Sequence, residues 1–499
     1  MKDFAGKSIS KKQLAIGSLM LVICYAIVVA SMVMMIVVNA PETWQDYFRE
    51  SAFRFLSACI CVLLLFAILF YYYYFEDKAF LAKARNVFLI YLVLIIAVLV
   101  CYFFGRFVSI YLRPVAMLAL IGLFLFGRRP AIILNFVFSL LMFVIDTFTN
   151  NFDSSPNSVY ISLMLTFACG TFAVFVAANV KTRWEMLLTG VFLGIPGLAI
   201  VLLLELSEID FAHFDWITYV ASAGYGILGC VLSAMLALCI LPVFEMAFNR
   251  LTVFRLRELT SANAPLLQRL RTEAPGTFNH SLIVAQLAET CAIAISENAE
   301  LARAAAYYHD VGKLKQPECF TENQTGYNVH DELTPELSAD IIRSHAQDGY
   351  DLLIANHLPK EIADVAREHH GTLPIKYFYD KANRLSGGDA NIRNYSYLGP
   401  TPTTKVAAII MIADASEAAT RAIKDRTPET VERIVRSVIE ERMDLDQFSD
   451  CDITMRELTI IKQTLVDSLT GVHHHRVKYP AIRFNRARQA VKEESKGDE

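Results

Sequence analysis

Eight apolar runs fill the first half of the chain, at about residues 14 to 38, 54 to 74, 87 to 104, 109 to 127, 130 to 148, 159 to 180, 185 to 206 and 217 to 247. A helix crossing the hydrocarbon of a bilayer needs roughly 20 such residues, so this half of the sequence is written for lipid. From Arg250 onward charged residues return at the density of a soluble domain, and the stretch to Glu499 is long enough to bury a core of its own. The expected fold class is therefore all-α: a polytopic helical membrane domain of about eight spans at 1–248, a connecting helix at 249–275, a soluble helical domain at 276–482, and a polar tail at 483–499.

The loops test this count. Starting from the lysine-rich "MKDFAGKSISKKQ", every second connection is basic, namely "EDKAFLAKARN", "GRRP", "NVKTRWE" and "NRLTVFRLRE". Lys and Arg accumulate on the cytoplasmic side, so the N-terminus and the polar half are both expected there. The other connections, such as "NAPETWQDYFRE" and "SEIDFAHFDW", are acidic or neutral, with "GRFVSIYLRP" the weakest match. Trp44, Trp184 and Trp216 fall at span ends, where amphipathic rings prefer to sit. No span is read as carrying a mid-membrane charge, since Asp146, Glu205 and Glu245 lie near ends. That disfavours an ion or proton path and leaves an anchor, a sensor or both.

Overall, 55% of residues are hydrophobic and 19% charged, too apolar for an ordinary soluble enzyme. The net charge of −4 carries no nucleic-acid footprint, so no nucleic-acid polymer is expected as partner. Seven of the ten cysteines lie inside apolar runs and the other three are far apart, which excludes a disulfide framework and points to a reducing compartment for the polar half.

Ten of the eleven histidines are in the polar half, and five have neighbours suited to metal. His280 follows a helix-start signal at Pro275–Gly276 and, read alone, is more often a cap or surface residue than a ligand. His309 and Asp310 end an alanine-rich helix near Gly312; adjacent residues on a regular helix point about 100° apart, so both can serve one cluster only where the backbone is ending. His369 and His370 repeat the device before Gly371, and His345 is read as lying at a helix end before Gly349. Asp414 follows a long aliphatic run, where a lone carboxylate would be costly to bury unless paired or metal-bound. Five imidazoles and two carboxylates exceed what one tetrahedral zinc requires and suit two first-row cations such as iron or manganese, with one carboxylate shared. His330 and His357 read as solvated loop residues, and His473–His475 as structural or a basic face.

The string His280, His309-Asp310-x-Gly312-Lys313, His345, His369-His370 and Asp414 resembles the HD-domain phosphohydrolases. Behind a multi-span block, it resembles the seven-transmembrane HD-hydrolase family, whose characterised bacterial members are cyclic di-AMP phosphodiesterases. The resemblance covers about residues 50 to 482. It implies a multi-pass bacterial plasma-membrane enzyme with a cytoplasmic HD phosphohydrolase domain, opening cyclic di-AMP to linear pApA; a homo-oligomer is compatible with it. It also implies one metal at His280, His309, Asp310 and Asp414, another at Asp310, His345, His369 and His370, Mn2+ or Fe2+ in each, with Asp310 bridging. Two such ions about 3.5 to 4 Å apart share a hydroxide and hold a phosphodiester for in-line attack. The family's large extracellular domain after the first span is expected, but here that connection is the short "NAPETWQDYFRE".

Asp310 and Lys313 are the expected catalytic residues, the lysine stabilising charge on phosphate or leaving oxygen. Arg393 and Tyr395, in the stretch "SGGDANIRNYSYLGPTP", and Tyr377 and Phe378, in "IKYFYD", are candidate contacts to phosphate or base. Three other readings stay open. A cyclic di-GMP enzyme of the HD-GYP type would carry Gly-Tyr-Pro soon after the double histidine, where this chain has "HHGTLPIKYFYD". A single-metal HD phosphatase has no need of His345 and His370, and a nucleotide-binding sensor without turnover has no need of the full ligand set.

Overall fold

The computed structural model describes residues 10–148, 156–206, 216–248, 251–324, 326–423 and 427–471; His473–His475 and the 483–499 tail lie outside them. The regular secondary structure of the described residues is helical, with an isolated bridge between Pro374 and Ser396 and no strand. They divide into two compact units, at Met1–Glu258 and Leu259–Glu499.

The first unit contains α1 (Lys11–Asn39), α2 (Trp44–Glu50), α3 (Ala52–Glu76), α4 (Lys78–Leu81), α5 (Ala84–Phe107), α6 (Met117–Phe126), α7 (Arg128–Phe148), α8 (Pro156–Val176), α9 (Arg183–Leu206), α10 (Trp216–Phe248) and α11 (Val253–Leu259). Ser10 starts α1 through a capping box with Gln13, satisfying amide groups that the first turn leaves free. Seven of these helices have the length and apolarity to cross a membrane. Their outer faces carry Leu19, Leu64, Phe172, Val191, Leu203 and Val243 in the open, an arrangement that suits lipid and not water. Helices α9 and α10 approach closely because Gly190, Gly194 and Gly197 face the partner; a β-carbon on Gly190 would lie 2.7 Å from the Ala234 methyl.

The fourth expected span is not a continuous helix. Residues Ile110–Leu112 form a 3₁₀ turn, and α6 has ten residues, so it is about 15 Å long and short of a full crossing. The cause is Arg113-Pro114: proline bars its predecessor from helical backbone, and Arg113 turns into the protein to meet Asp146. Irregular backbone at membrane depth is tolerated only when buried in protein. Here the segment from Arg113 to Ile121 is buried, with Val115 to Ile121 at most 5% exposed, and the 3₁₀ turn before it is half-buried. Arg113 Nη1 and Nη2 lie 2.5 Å and 2.9 Å from the two Asp146 oxygens, and Ser162 Oγ joins both partners at 2.8 Å. This buried pair corrects the expectation that the membrane half contains no internal charge.

The broken segment nevertheless returns the chain across the unit. Phe126, at the end of α6, packs on Phe80 in the α3–α5 connection, and Phe124 packs on Phe254 beyond α10. At the opposite end Tyr47 of α2 bonds the Phe148 carbonyl, and Tyr102 bonds Asn39 at 2.9 Å. Lys78, Lys83, Arg128, Lys181 and Arg183 thus share the Phe80 end with Phe254.

The second unit contains α12 (Pro265–Glu273), α13 (Pro275–Ala294), α14 (Ala299–Tyr308), α15 (Pro335–Ala355), α16 (Lys360–Glu368), α17 (Lys376–Leu385), α18 (Lys405–Ala422), α19 (Pro428–Asp444) and α20 (Met455–Gly471). The expected single connecting helix is two, α11 and α12, because "TSANAP" interrupts it. Asn298, Thr334, Thr404 and Thr427 cap α14, α15, α18 and α19 with their side chains. Helix α18 is buried on all sides from Val406 to Ala413, and α13, α14, α16, α19 and α20 pack around it. Ala302 and Ala304–Ala306 of α14 are completely buried; side chains this small let α13, α16 and α18 come close to its end.

Candidate metal centre

Five elements bring seven side chains to one place. His280 projects from the second turn of α13. His309 is the C-cap of α14, and Asp310 precedes the 3₁₀ turn Val311–Lys315. His369 is the C-cap of α16, with His370 beside it before Gly371, whose φ is +52°. Asp414 follows the buried run of α18. His345 sits in the middle of α15, not at a helix end: Gly349 does not stop that helix but thins it, so that the Val311–Lys315 turn can cross. A β-carbon on Gly312 would lie 2.0 Å from the His345 carbonyl and 2.5 Å from the Gly349 nitrogen. The glycine of the His-Asp-x-Gly-Lys string is thereby fixed by close approach as well as by the helix ending.

The ligand atoms form two groups, His280–His309–Asp414 and Asp310–His345–His369–His370. Asp310 faces both. Its Oδ2 lies 3.3 Å from His309 Nε2 and 3.8 Å from His280 Nε2; its Oδ1 lies 3.3 Å from His345 Nε2 and 3.6 Å from His369 Nε2. His309 Nε2 and Asp310 Oδ1 are buried without a hydrogen-bond partner among the described residues. Buried polar atoms are rarely left so, and a shared cation would satisfy converging imidazole nitrogens and carboxylate oxygens.

The protonation states suit that use. Burial opposes charge on Asp310, but Lys313 and His309 hold its carboxyl well below the usual range. Asp414 is likewise held down, against burial, by His280. Burial pushes His369 down to about 4 and His370 well below its ordinary value, so both rings are neutral with a lone pair to offer. His280 differs: burial lowers it, yet Asp414 and Glu417 outweigh burial and lift it to about 10.

Lys313 Nζ is 2.8 Å from Asp310 Oδ2 and 2.7 Å from Glu322 Oε1. The four candidate substrate contacts divide. Phe378 and Tyr395 pack with Ala339 and Ala382 in a small core, where the Tyr395 hydroxyl bonds Glu336. Tyr377 and Arg393 are exposed. None of the four lines the two cavities beside α15: one of about 220 Å³ bounded by Gly312, Phe320 and His345, and one of about 540 Å³ bounded by Arg343, Arg367 and Leu398. His330, expected in solvent, is buried, with Nε2 2.7 Å from the Cys319 carbonyl. It holds the 3₁₀-rich segment after Lys315 against α17.

Tyr397 was not singled out from sequence. Its ring stacks on His370 with centroids 4.3 Å apart. The stretch carrying it is clipped to the chain after the double histidine by Ile375 N–H to the Tyr395 carbonyl (2.7 Å) and Tyr397 N–H to the Leu373 carbonyl (3.0 Å). No local pattern announces such a pairing.

Residues 52–252 match the family model of a 7TM receptor with intracellular HD hydrolase, and residues 277–419 match the HD domain. The chain thus matches, in order, the membrane part and the HD domain that the first description names together. The first match takes in six of the membrane-length helices and the broken crossing, and leaves α1 outside. The chain is similar to the cyclic-di-AMP phosphodiesterase PgpH of Listeria monocytogenes, 39% identical over 353 residues that make up 70% of this chain and 48% of that protein. It is 37% identical to PgpH of Bacillus subtilis over 372 residues, 74% of this chain and 51% of the relative. The chain thus spans about half the length of these curated relatives. Crystal structures of the L. monocytogenes PgpH HD domain, alone and with cyclic-di-AMP, are 46% identical to it; they cover 42% and 43% of this chain and 100% of their own, with TM-scores of 0.41 and 0.42.

Proposed function

We propose that this chain is a membrane-anchored, metal-dependent phosphodiesterase that hydrolyses cyclic di-AMP to the linear dinucleotide pApA. The observation that carries the reading is the placement of Asp310 between two histidine-rich groups, in a chain whose curated relatives are named for that activity. His280, His309, Asp310 and Asp414 would hold one divalent cation and Asp310, His345, His369 and His370 a second, with manganese or iron favoured by the mixed imidazole and carboxylate donors. Such ions supply positive charge for the phosphate and a water activated at neutral pH. In the reaction a water oxygen bonds to phosphorus, one ester P–O bond breaks, and the departing ribose oxygen takes a proton.

The chain's own groups do the rest. Asp310 stays ionised because Lys313 lies beside it. Lys313 keeps its charge despite burial, since Asp310 and Glu322 outweigh desolvation. Its ammonium is therefore available, by exchange with Glu322, to a phosphate oxygen gaining charge. Arg343 and Arg367 on the larger cavity offer guanidinium groups to the second phosphate or to a base face.

The basic residues at the Phe80 end of the membrane unit support a cytoplasmic location for that end, and the proposed substrate requires the same compartment for the catalytic unit. The test of the activity is the purified full chain with Mn2+ alone, assayed against cyclic di-AMP, cyclic di-GMP and deoxynucleoside triphosphates. Release of pApA at a rate well above the other products supports the reading. Preference for cyclic di-GMP, or triphosphate release from a deoxynucleotide, would overturn the substrate assignment.

A further inference from the structure

The histidines of the centre are not all held in the same way. His309, His345 and His369 each set Nδ1 against the carbonyl three residues earlier in their own helix, Ala306 at 2.7 Å, Ile342 at 2.5 Å and Ala366 at 2.8 Å. Each ring is thereby turned with Nε2 toward Asp310. His280 has a carboxylate instead: its Nδ1 is 2.7 Å from Glu417 Oε2, while its Nε2 is 2.9 Å from Asp414 Oδ1. Glu417 lies one turn beyond Asp414 on α18 and is 4% exposed. Arg421, a further turn along, lies 3.4 Å from its other oxygen. One helix thus presents a carboxylate to the cation position and a second carboxylate to the back of the imidazole facing it.

We infer that Glu417 is a positioning residue for the first cation site. An imidazole that donates Nδ1–H to a carboxylate is locked in the tautomer whose lone pair is on Nε2, and it is a stronger donor than one held by a neutral carbonyl. The asymmetry falls where it matters. The Asp310–His345–His369–His370 group has three imidazoles, whereas the His280–His309–Asp414 group has two, so each ring there contributes a larger share of the binding. Glu417 meets the ligand cluster at Nδ1 of His280, the nitrogen turned away from Asp414, and is not one of the grouped ligands.

The inference rests on the reading of the cluster as a two-cation centre, and the experiment separates the two. The full chain in detergent is stripped with chelator and titrated with Mn2+ alone, with bound manganese counted by elemental analysis, for wild type, Glu417→Ala and Glu417→Gln. Two ions should bind to the wild type. Glu417→Ala should weaken one of them by about 10- to 100-fold and leave the other unchanged. Glu417→Gln, whose amide oxygen still accepts from Nδ1 without the charge, should fall between, with metal-free melting close to wild type. Two equally tight ions in both variants, or equal weakening of both ions, would overturn the positioning role. A wild type that binds no manganese would overturn the two-cation centre itself.

Discussion

Lys313 Nζ stands 2.8 Å from Asp310 Oδ2, three residues after it in the chain and on the flank of the carboxylate that faces His309. One ammonium therefore both keeps the shared carboxylate ionised and stands at the edge of the cluster. Replacing it separates the two duties. Lys313→Met should lower kcat for cyclic di-AMP by about 10²- to 10³-fold, the usual cost of losing one preorganised donor to developing charge. Bound manganese should fall much less. Unchanged turnover would assign Lys313 to the ion pair alone.

Because the two oxygens of Asp310 face different groups, Asp310→Asn should reduce both manganese equivalents, whereas His280→Ala should reduce one. Far-ultraviolet circular dichroism should stay near wild type in both, since the helices end by their own caps. Selective loss of a single ion in Asp310→Asn would remove the shared role.

Arg113 and Asp146 predict a different kind of result. Removing one partner of a buried pair leaves the other uncompensated, at a cost of about 3–5 kcal/mol, while replacing both with apolar groups is much less harmful. Thermal unfolding in detergent should therefore drop sharply for Arg113→Ala and recover in Arg113→Met/Asp146→Leu. Equal loss in the single and double variants would show that the pair is not what holds the broken crossing.

The start of α20 supplies a pH test away from the metal centre. Glu457 closes a capping box with Thr454 and lies 2.6 Å from Lys405 Nζ. Burial pushes its pKa up, but Lys405 and Thr454 outweigh burial and leave the folded value below the ordinary one. The stabilisation is then full above the unfolded carboxyl's pKa and is lost as pH falls through the folded value. The advantage of wild type over Glu457→Gln in melting temperature should be constant near neutrality and shrink in acid. An advantage that grew as pH fell would contradict the assignment.

Orientation is tested by reporters. Fusions after Gln13 and after Ala262 should both report cytoplasm, and a tag at Asn151, outside the described residues, should be reachable from outside the cell. Opposite sides for the first two would mean that the segment from Val108 to Phe126 does not return the chain.

What the sequence determined by itself was local or periodic. Long apolar runs and alternating loop charge announce a helical membrane half, because the cost of unpaired backbone in lipid permits little else. The adjacent pairs His309-Asp310 and His369-His370 stand out because each sits beside a glycine where a helix must end, and a glycine-terminated helix is a short-range event. The tertiary structure decided whatever depended on distance in the chain. Arg113 read as part of an outer loop, since its partner lies 33 residues away and only packing turns it inward. Gly349 looked like a helix stop, but it is a crossing point for Gly312. Tyr395 and Phe378, candidate contacts to phosphate or base by sequence, are claimed by a small core, while Tyr397 is set over His370 by a backbone clip. Glu417 meets His280 across 137 residues. Burial and hydrogen-bond partnership are properties of packed elements, and a sequence shows the residues without showing which of them will face each other.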